Sequence, residues 1–166
     1  MKFAIISDDR AKQLRERFIA EFIDKDTENY RKYYNKSTYG GRFLWDSLKN
    51  YSAEKHCCKQ EQAAEFLERF DRVYFMWDFW REGTVFADEY PNAVIKTSGG
   101  ELGRLAVSEW NAEIEAEKHD CYIEHPQLPS DIYVFDDSFS WCVIFTHESN
   151  DCDSLDDIIR FCIIYN

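Results

Sequence analysis

The pair His147-Glu148 has the residue types that begin a zinc-binding HExxH helix. The fifth position of that motif is Asp151 instead of the second histidine, so the motif fails. An acidic run then continues through Asp153, Asp156 and Asp157, whose carboxylates resemble cation ligands but lack the glycine and the terminal glutamate of a calcium loop. We therefore interpret this run as a solvated loop or as an interface that faces basic residues.

A second group of possible metal ligands is His119, Cys121 and His125, at the end of a predicted helix and in the loop after it. Histidine is also favourable near a helix C-terminus without any metal. We predict no metal site and leave these three residues as an open question.

The sequence contains no GxSxG segment, and no order of serine, histidine and aspartate indicates a hydrolase. The basic signatures of RNA-binding modules are also missing. We therefore expect no catalytic residues, no cofactor and no direct contact with nucleic acid, and we expect that the protein is not an enzyme.

The elements that must position these groups are helices early in the chain and strands late in it. Apolar residues at helical spacing predict helices, with residue ranges 9–24, 42–48, 60–70 and 101–119. Apolar or alternating runs between turn residues predict strands over 73–77, 84–87, 92–97, 132–135, 140–146 and 158–165. This order predicts a single α+β domain over residues 1–166, with N-terminal helices packed on a largely antiparallel sheet and a C-terminal β-hairpin.

Charge is unevenly distributed along the chain. There are 32 acids and 20 bases, for a net charge of −12, and residues 121–166 hold nine of the acids and one base, Arg160. Such a chain repels nucleic-acid phosphates and anionic membranes and attracts a basic partner. An acidic surface that only maintains solubility is the alternative.

The even number of cysteines, six, is compatible with disulfides, so the count alone does not indicate whether the protein is in an oxidising or a reducing compartment. The first residues, MKFAIISDDR, lack the apolar run of a signal peptide, and no segment reaches membrane-spanning length. We expect a cytoplasmic protein with reduced thiols.

The segment 131–148, DIYVFDDSFSWCVIFTHE, resembles the C-terminal signature of a bacterial family known as domain of unknown function 4275. The likeness depends on an aspartate-led strand, an FD turn, Phe-x-Trp and a closing Thr-His-Glu, at Asp131, Tyr133, Asp136, Phe139, Trp141, Thr146, His147 and Glu148. Phe43-Leu44-Trp45 is similar to that family's Leu-Trp segment. The resemblance implies a fold family but no catalytic residues. By its overall type the chain also resembles immunity proteins of polymorphic-toxin systems, including those of contact-dependent growth inhibition.

These observations predict an immunity protein that binds a cognate basic toxin domain, such as a nuclease, and occludes its active site. The predicted contact residues are the acids of the C-terminal third: Asp136, Asp137, Glu148, Asp151, Asp153, Asp156 and Asp157. Two alternatives stay open. One is a small ligand-binding or enzymatic domain with a pocket near Trp141 and His147, and the other is an acidic accessory protein that mimics nucleic acid.

Overall fold

One antiparallel sheet organises the part of the chain that the computed structural model describes, namely residues 1–35, 43–78, 86, 89–90, 92–119, 121, 126–129, 131–146 and 161–166. Its seven strands are β1 (Phe3–Ile6), β2 (Cys57–Cys58), β3 (Val73–Trp77), β4 (Val94–Thr97), β5 (Ile132–Phe135), β6 (Trp141–Phe145) and β7 (Phe161–Tyr165). They lie in the order β1-β4-β3-β5-β6-β7-β2, and each neighbouring pair is antiparallel. The predicted α+β class with a largely antiparallel sheet is confirmed.

Helices cover both faces of this sheet. They are α1 (Asp8–Phe22), α2 (Glu28–Asn35), the 3-10 helix η1 (Leu44–Ser47), α3 (Ala53–His56), α4 (Gln60–Leu67) and α5 (Gly99–Glu117). Among the described residues, no helix combines the length and the apolar character needed to cross a membrane.

Strand alternation separates two hydrophobic cores. One set of side chains, which includes Tyr133 and Ile144, faces α1 and η1, while the next residues along the same strands, such as Val134 and Val143, face α4 and α5. The central strands β3, β5 and β6 are buried along their whole length because both faces are covered.

The predicted strand over 84–87 is wrong at the one residue of it that the structure describes. The carbonyl of Phe86 accepts a hydrogen bond from the N–H of Tyr90, four residues later, as in a helical turn. Both edges of β3 are taken by β4 and β5, so no third strand can pair there. Residues 84, 85 and 87 lie outside the described part of the chain.

Helix α5 begins two residues earlier than predicted. The hydroxyl of Ser98 accepts a hydrogen bond from the N–H of Glu101 and caps the helix, so Gly99 and Gly100 lie in its first turn. A Cβ on Gly99 would stand 2.1 Å from the carbonyl oxygen of Leu67. The glycine is therefore required by the close approach of α4 and α5 and does not break the helix.

Candidate functional site

Asp136 lies in the turn of the C-terminal hairpin and stabilises it through hydrogen bonds. Its carboxylate accepts hydrogen bonds from the N–H and hydroxyl of Ser138, and from Nε1 of Trp141 at 3.2 Å. Phe139 adopts a positive φ of 54°, which the turn imposes on a bulky residue, and its N–H donates to the Asp136 carbonyl. The side chain of Asp136 therefore shapes the turn, as its residue type predicts.

The neighbouring carboxylate of Asp137 pairs with a hydroxyl group of β3 and with a basic side chain just before that strand. Oδ2 lies 2.6 Å from Nη2 of Arg72, and Oδ1 accepts a hydrogen bond from the Tyr74 hydroxyl at 3.0 Å. About half of each side chain in the Arg72–Asp137 pair is exposed. The guanidinium offsets the local negative charge, so this turn is less acidic than its two adjacent aspartates indicate.

The remaining predicted contact residues, Glu148, Asp151, Asp153, Asp156 and Asp157, lie outside the described residues. The described neighbours of that segment are Thr146, after β6, and Phe161, at the start of β7. In antiparallel strands these positions lie at the opposite end of the sheet from Asp136 and Asp137. The length of the hairpin strands therefore separates Thr146 and Phe161 from Asp136 and Asp137.

Among the described helices, the largest excess of acids over bases lies on one layer, α4 and α5, which was not predicted as a contact surface. Within their bounds α4 and α5 hold seven acids and one base, a net charge of −6. On the other face of the sheet, α1 and α2 hold five acids and six bases. We name the α4–α5 layer the acidic layer. Its acids come from two segments about 40 residues apart, so only the packing of the helices reveals it.

A row of buried polar side chains crosses the sheet at the end opposite the hairpin turn. The register places Asp78, Asp131 and Thr146 opposite one another, one step beyond β3, β5 and β6. All three are buried, and their positions in the alternation put them on the α1 side. Sequence reasoning missed this row because an aspartate at a strand end is also typical of an exposed turn.

Internal hydrogen bonds hold this row in place. The Tyr133 hydroxyl donates to Oδ2 of Asp78 at 2.7 Å and accepts from the backbone N–H of Trp45 at 3.2 Å. The indole N–H of Trp45 donates to Oδ1 of Asp131 at 3.2 Å. Arg15 of α1 is also buried, and it donates to the carbonyls of Trp77 and Ala93 at 3.0 and 2.9 Å. These bonds satisfy Oδ2 of Asp78 and Oδ1 of Asp131, while Oδ1 of Asp78 is buried without a hydrogen bond from the described part of the chain.

The predicted group of possible metal ligands is only partly described. His119 is exposed and lies 3.5 Å from a carboxylate oxygen of Glu115, while the thiol of Cys121 donates to the His119 carbonyl. His125 lies outside the described residues. No group of three or more His, Cys, Asp or Glu side chains within the described ranges is arranged to hold a metal ion.

The predicted pocket near Trp141 and His147 is described only at Trp141. Trp141 starts β6 and is buried against Phe66 and Phe70, with ring centroids 5.1 and 4.4 Å away. His147 lies outside the described residues, and Thr146, just before it in the sequence, follows the other end of β6. Five strand steps from Trp141 to Thr146 correspond to about 17 Å. Trp141 has the environment of a core residue.

No protein-family model matches this chain, and neither does any curated protein or solved structure. A function for this chain therefore has to be inferred from the arrangement of its own residues. The segments around Trp45 and around Asp131 are in direct hydrogen-bonded contact.

Proposed function

We propose that this chain is a cytoplasmic immunity protein that binds a cognate basic toxin domain, a nuclease, and blocks its active site. The observation that carries the proposal is the acidic layer, with seven acids and one base on α4 and α5 against a nearly balanced layer on the other face of the sheet. A nuclease active site is built to attract phosphates, so a rigid surface of carboxylates complements it.

Occlusion is the mechanism that this surface supports best. Glu61 and Glu65 are exposed on α4, and Glu115 is exposed on α5. Helices that pack closely on each other, as at Gly99 and Gly103, hold these carboxylates at fixed spacing. A preorganised charged surface accelerates association and makes it sensitive to salt.

The C-terminal acids remain part of the proposed contact surface, with a changed order of importance. Asp136 and Asp137 are already engaged in the hairpin turn and with Arg72. We therefore assign the partner contact first to the acidic layer and to the four aspartates Asp151, Asp153, Asp156 and Asp157. Glu148 comes after them in the assignment. We also propose membership of the family known as domain of unknown function 4275, on the likeness of residues 43–45 and 131–148 to its segments.

A second candidate function is mimicry of nucleic acid, and the length of α5 favours it. Nineteen helical residues extend about 28 Å, and the sequence places glutamates from Glu101 to Glu117 along that length, of which Glu109 is engaged by the backbone N–H groups of Gln127 and Leu128. A mimic of a duplex requires acids over a long face, whereas an inhibitor of one active site requires a compact patch. Both functions address a basic protein that binds nucleic acid. Nothing described at Trp141 favours the alternative of an enzymatic or ligand-binding pocket.

The test is to co-express the chain with the toxin domain encoded by the adjacent gene and to measure rescue of growth and direct binding. Three variants carry the comparison. The first is Glu61→Gln, Glu65→Gln and Glu115→Gln on the acidic layer. The second is Asp151→Asn, Asp153→Asn, Asp156→Asn and Asp157→Asn. The third is a control on the opposite layer with the same charge change as the first, Asp9→Asn, Glu16→Gln and Glu28→Gln.

We expect the first two variants to slow association by about tenfold or more at low salt and the control to change it little. If all three variants bind alike, charge on these surfaces does not select the partner, and the proposal is wrong. If the chain ignores the toxin but displaces duplex DNA from a DNA-binding protein, mimicry of nucleic acid replaces it.

A further inference from the structure

Two cysteines that are distant in the sequence face each other across the β2–β7 pair. Cys57 and Cys162 are direct partners in the antiparallel register, and their Sγ atoms are 3.5 Å apart. Directly opposed residues of antiparallel strands have Cα atoms about 4.5–5.5 Å apart and side chains on one face. That separation lies within the range that a disulfide spans, so the bond can form with little backbone movement.

The surroundings of the pair give the two thiols different roles. Cys162 is completely buried, whereas Cys57 is partly exposed. The hydroxyl of Tyr51 lies 3.2 Å from Sγ of Cys57. A hydrogen bond with Cys57, together with burial, raises the pKa of Cys162, so its thiol form is favoured at neutral pH. Oxidants in the solvent therefore reach Cys57 first, and the thiol of Cys162 is close enough to react with the oxidised Cys57.

We propose that Cys57 and Cys162 are a redox-modification site that forms a reversible intramolecular disulfide when the protein meets hydrogen peroxide. The Cys57 sulfur attacks one peroxide oxygen, the O–O bond breaks, and Cys57 becomes a sulfenic acid while one water leaves. The sulfur of Cys162 then attacks the Cys57 sulfur, the S–O bond breaks, and a second water leaves as the S–S bond forms. Overall, two thiols lose two hydrogen atoms and peroxide is reduced to two waters.

The other described cysteines are less suited to this reaction. The thiol of Cys58 donates to the carbonyl of Phe161, and Cys58 packs against the α4–α5 core on the opposite face of the sheet. Cys142 is fully buried and opposite Ile164, and the thiol of Cys121 donates to a nearby carbonyl. Cys152 lies outside the described residues, so the experiment must exclude it.

The disulfide would fasten the short edge strand β2 to β7. β2 has two residues, and within the described chain it pairs only with β7. A covalent bond between positions 105 apart closes a long loop and restricts the unfolded chain. We expect oxidation to raise Tm by roughly 5–10 °C.

The test treats the full chain with a modest excess of hydrogen peroxide, followed by intact mass measurement and peptide mapping without reduction. The wild type should become two hydrogen atoms lighter, with one linked peptide pair that contains Cys57 and Cys162, and dithiothreitol should reverse the change. Cys58→Ser, Cys121→Ser and Cys152→Ser are the matched controls and should behave like the wild type. Cys57→Ser and Cys162→Ala should not lose the two hydrogens.

Several results would overturn the proposal. One is that the wild type keeps its mass, or only gains oxygen, after treatment with peroxide. Another is a linked peptide pair that contains Cys152 or Cys121. A third is the same loss of two hydrogen atoms in Cys57→Ser. The peptide map of the wild type decides the matter even if Cys162→Ala does not fold, because it needs no variant.

Discussion

The indole N–H of Trp45 donates a 3.2 Å hydrogen bond to Oδ1 of Asp131, which joins residues 86 positions apart in the chain. The backbone N–H of the same Trp45 donates to the hydroxyl of Tyr133, two residues beyond Asp131. Through these bonds η1 covers the end of β5 and closes the core on the α1 side. The contact connects the middle of the N-terminal half with the C-terminal hairpin.

Replacement of Asp131 should show how much this contact contributes to stability. Asp131→Ala leaves the buried indole N–H without its acceptor, and we expect the free energy of unfolding to fall by about 2–4 kcal/mol. Asp131→Asn keeps an acceptor oxygen and should cost less, about 1–2 kcal/mol. Urea unfolding measures both values. A Trp45→Phe, Asp131→Ala double variant should lose less than the sum of the single losses, and strict additivity would contradict a direct coupling.

The close approach of α4 and α5 predicts that alanine is tolerated differently at two adjacent glycines. Gly99→Ala places a Cβ 2.1 Å from the Leu67 carbonyl oxygen, so the helices must separate, and we expect a loss of about 2–3 kcal/mol or more. A Cβ on Gly100 would lie 3.4 Å from the flexible end of Arg104 and in ordinary van der Waals contact with Glu68, so Gly100→Ala should be neutral or stabilising by up to about 1 kcal/mol. Thermal unfolding of the two variants makes the comparison. Equal Tm values would mean that the helices pack less closely than described.

The two carboxylates of the hairpin turn, Asp136 and Asp137, should differ in how much they contribute to stability. Asp136→Ala removes the acceptor for Ser138 and for Nε1 of Trp141, and it should destabilise the fold by about 1–2 kcal/mol. Asp137→Asn weakens a half-exposed ion pair with Arg72 and should cost less than about 1 kcal/mol. Chemical denaturation measures both changes. If Asp137→Asn weakens partner binding without loss of stability, Asp137 contacts the partner directly.

Glu109 should make the stability of the fold depend on pH in a definite direction. Burial raises the pKa of its carboxyl above 4.5, although the carboxylate accepts backbone N–H groups from Gln127 and Leu128 at 2.7 and 2.9 Å. The folded state therefore binds more protons than the unfolded state as pH rises from 4.5 through the raised pKa. Over that window the stability of the wild type should fall relative to Glu109→Gln.

Glu115 is the control of opposite sign for that measurement. A hydrogen bond from Lys118 lowers the pKa of the Glu115 carboxyl below 4.5. Its contribution is present above 4.5 and is lost as pH falls through the lowered pKa, so the wild type should lose stability relative to Glu115→Gln on acidification. Urea unfolding at a series of pH values gives both slopes. Slopes of the same sign would show that general charge, and not these environments, controls the effect.

Local sequence patterns were sufficient for most of the elements. The strand over Val73–Trp77 and the strand over Ile132–Phe135 agree with the predicted ranges, because short apolar runs between turn residues favour buried strands. The error at Phe86 and the late predicted start of α5 have one cause. Glycine and β-branched residues near a turn suit several local structures, and the long-range neighbours choose among them.

The sequence by itself determined the fold class, the hairpin and the excess of negative charge, because hydrophobic period, turn chemistry and composition are local or additive properties. Only the tertiary structure decided where that charge lies and which buried groups meet. The acidic layer, the row of Asp78, Asp131 and Thr146, and the facing thiols of Cys57 and Cys162 each combine residues far apart in the chain. Such contacts depend on strand order and helix packing, which no local pattern encodes.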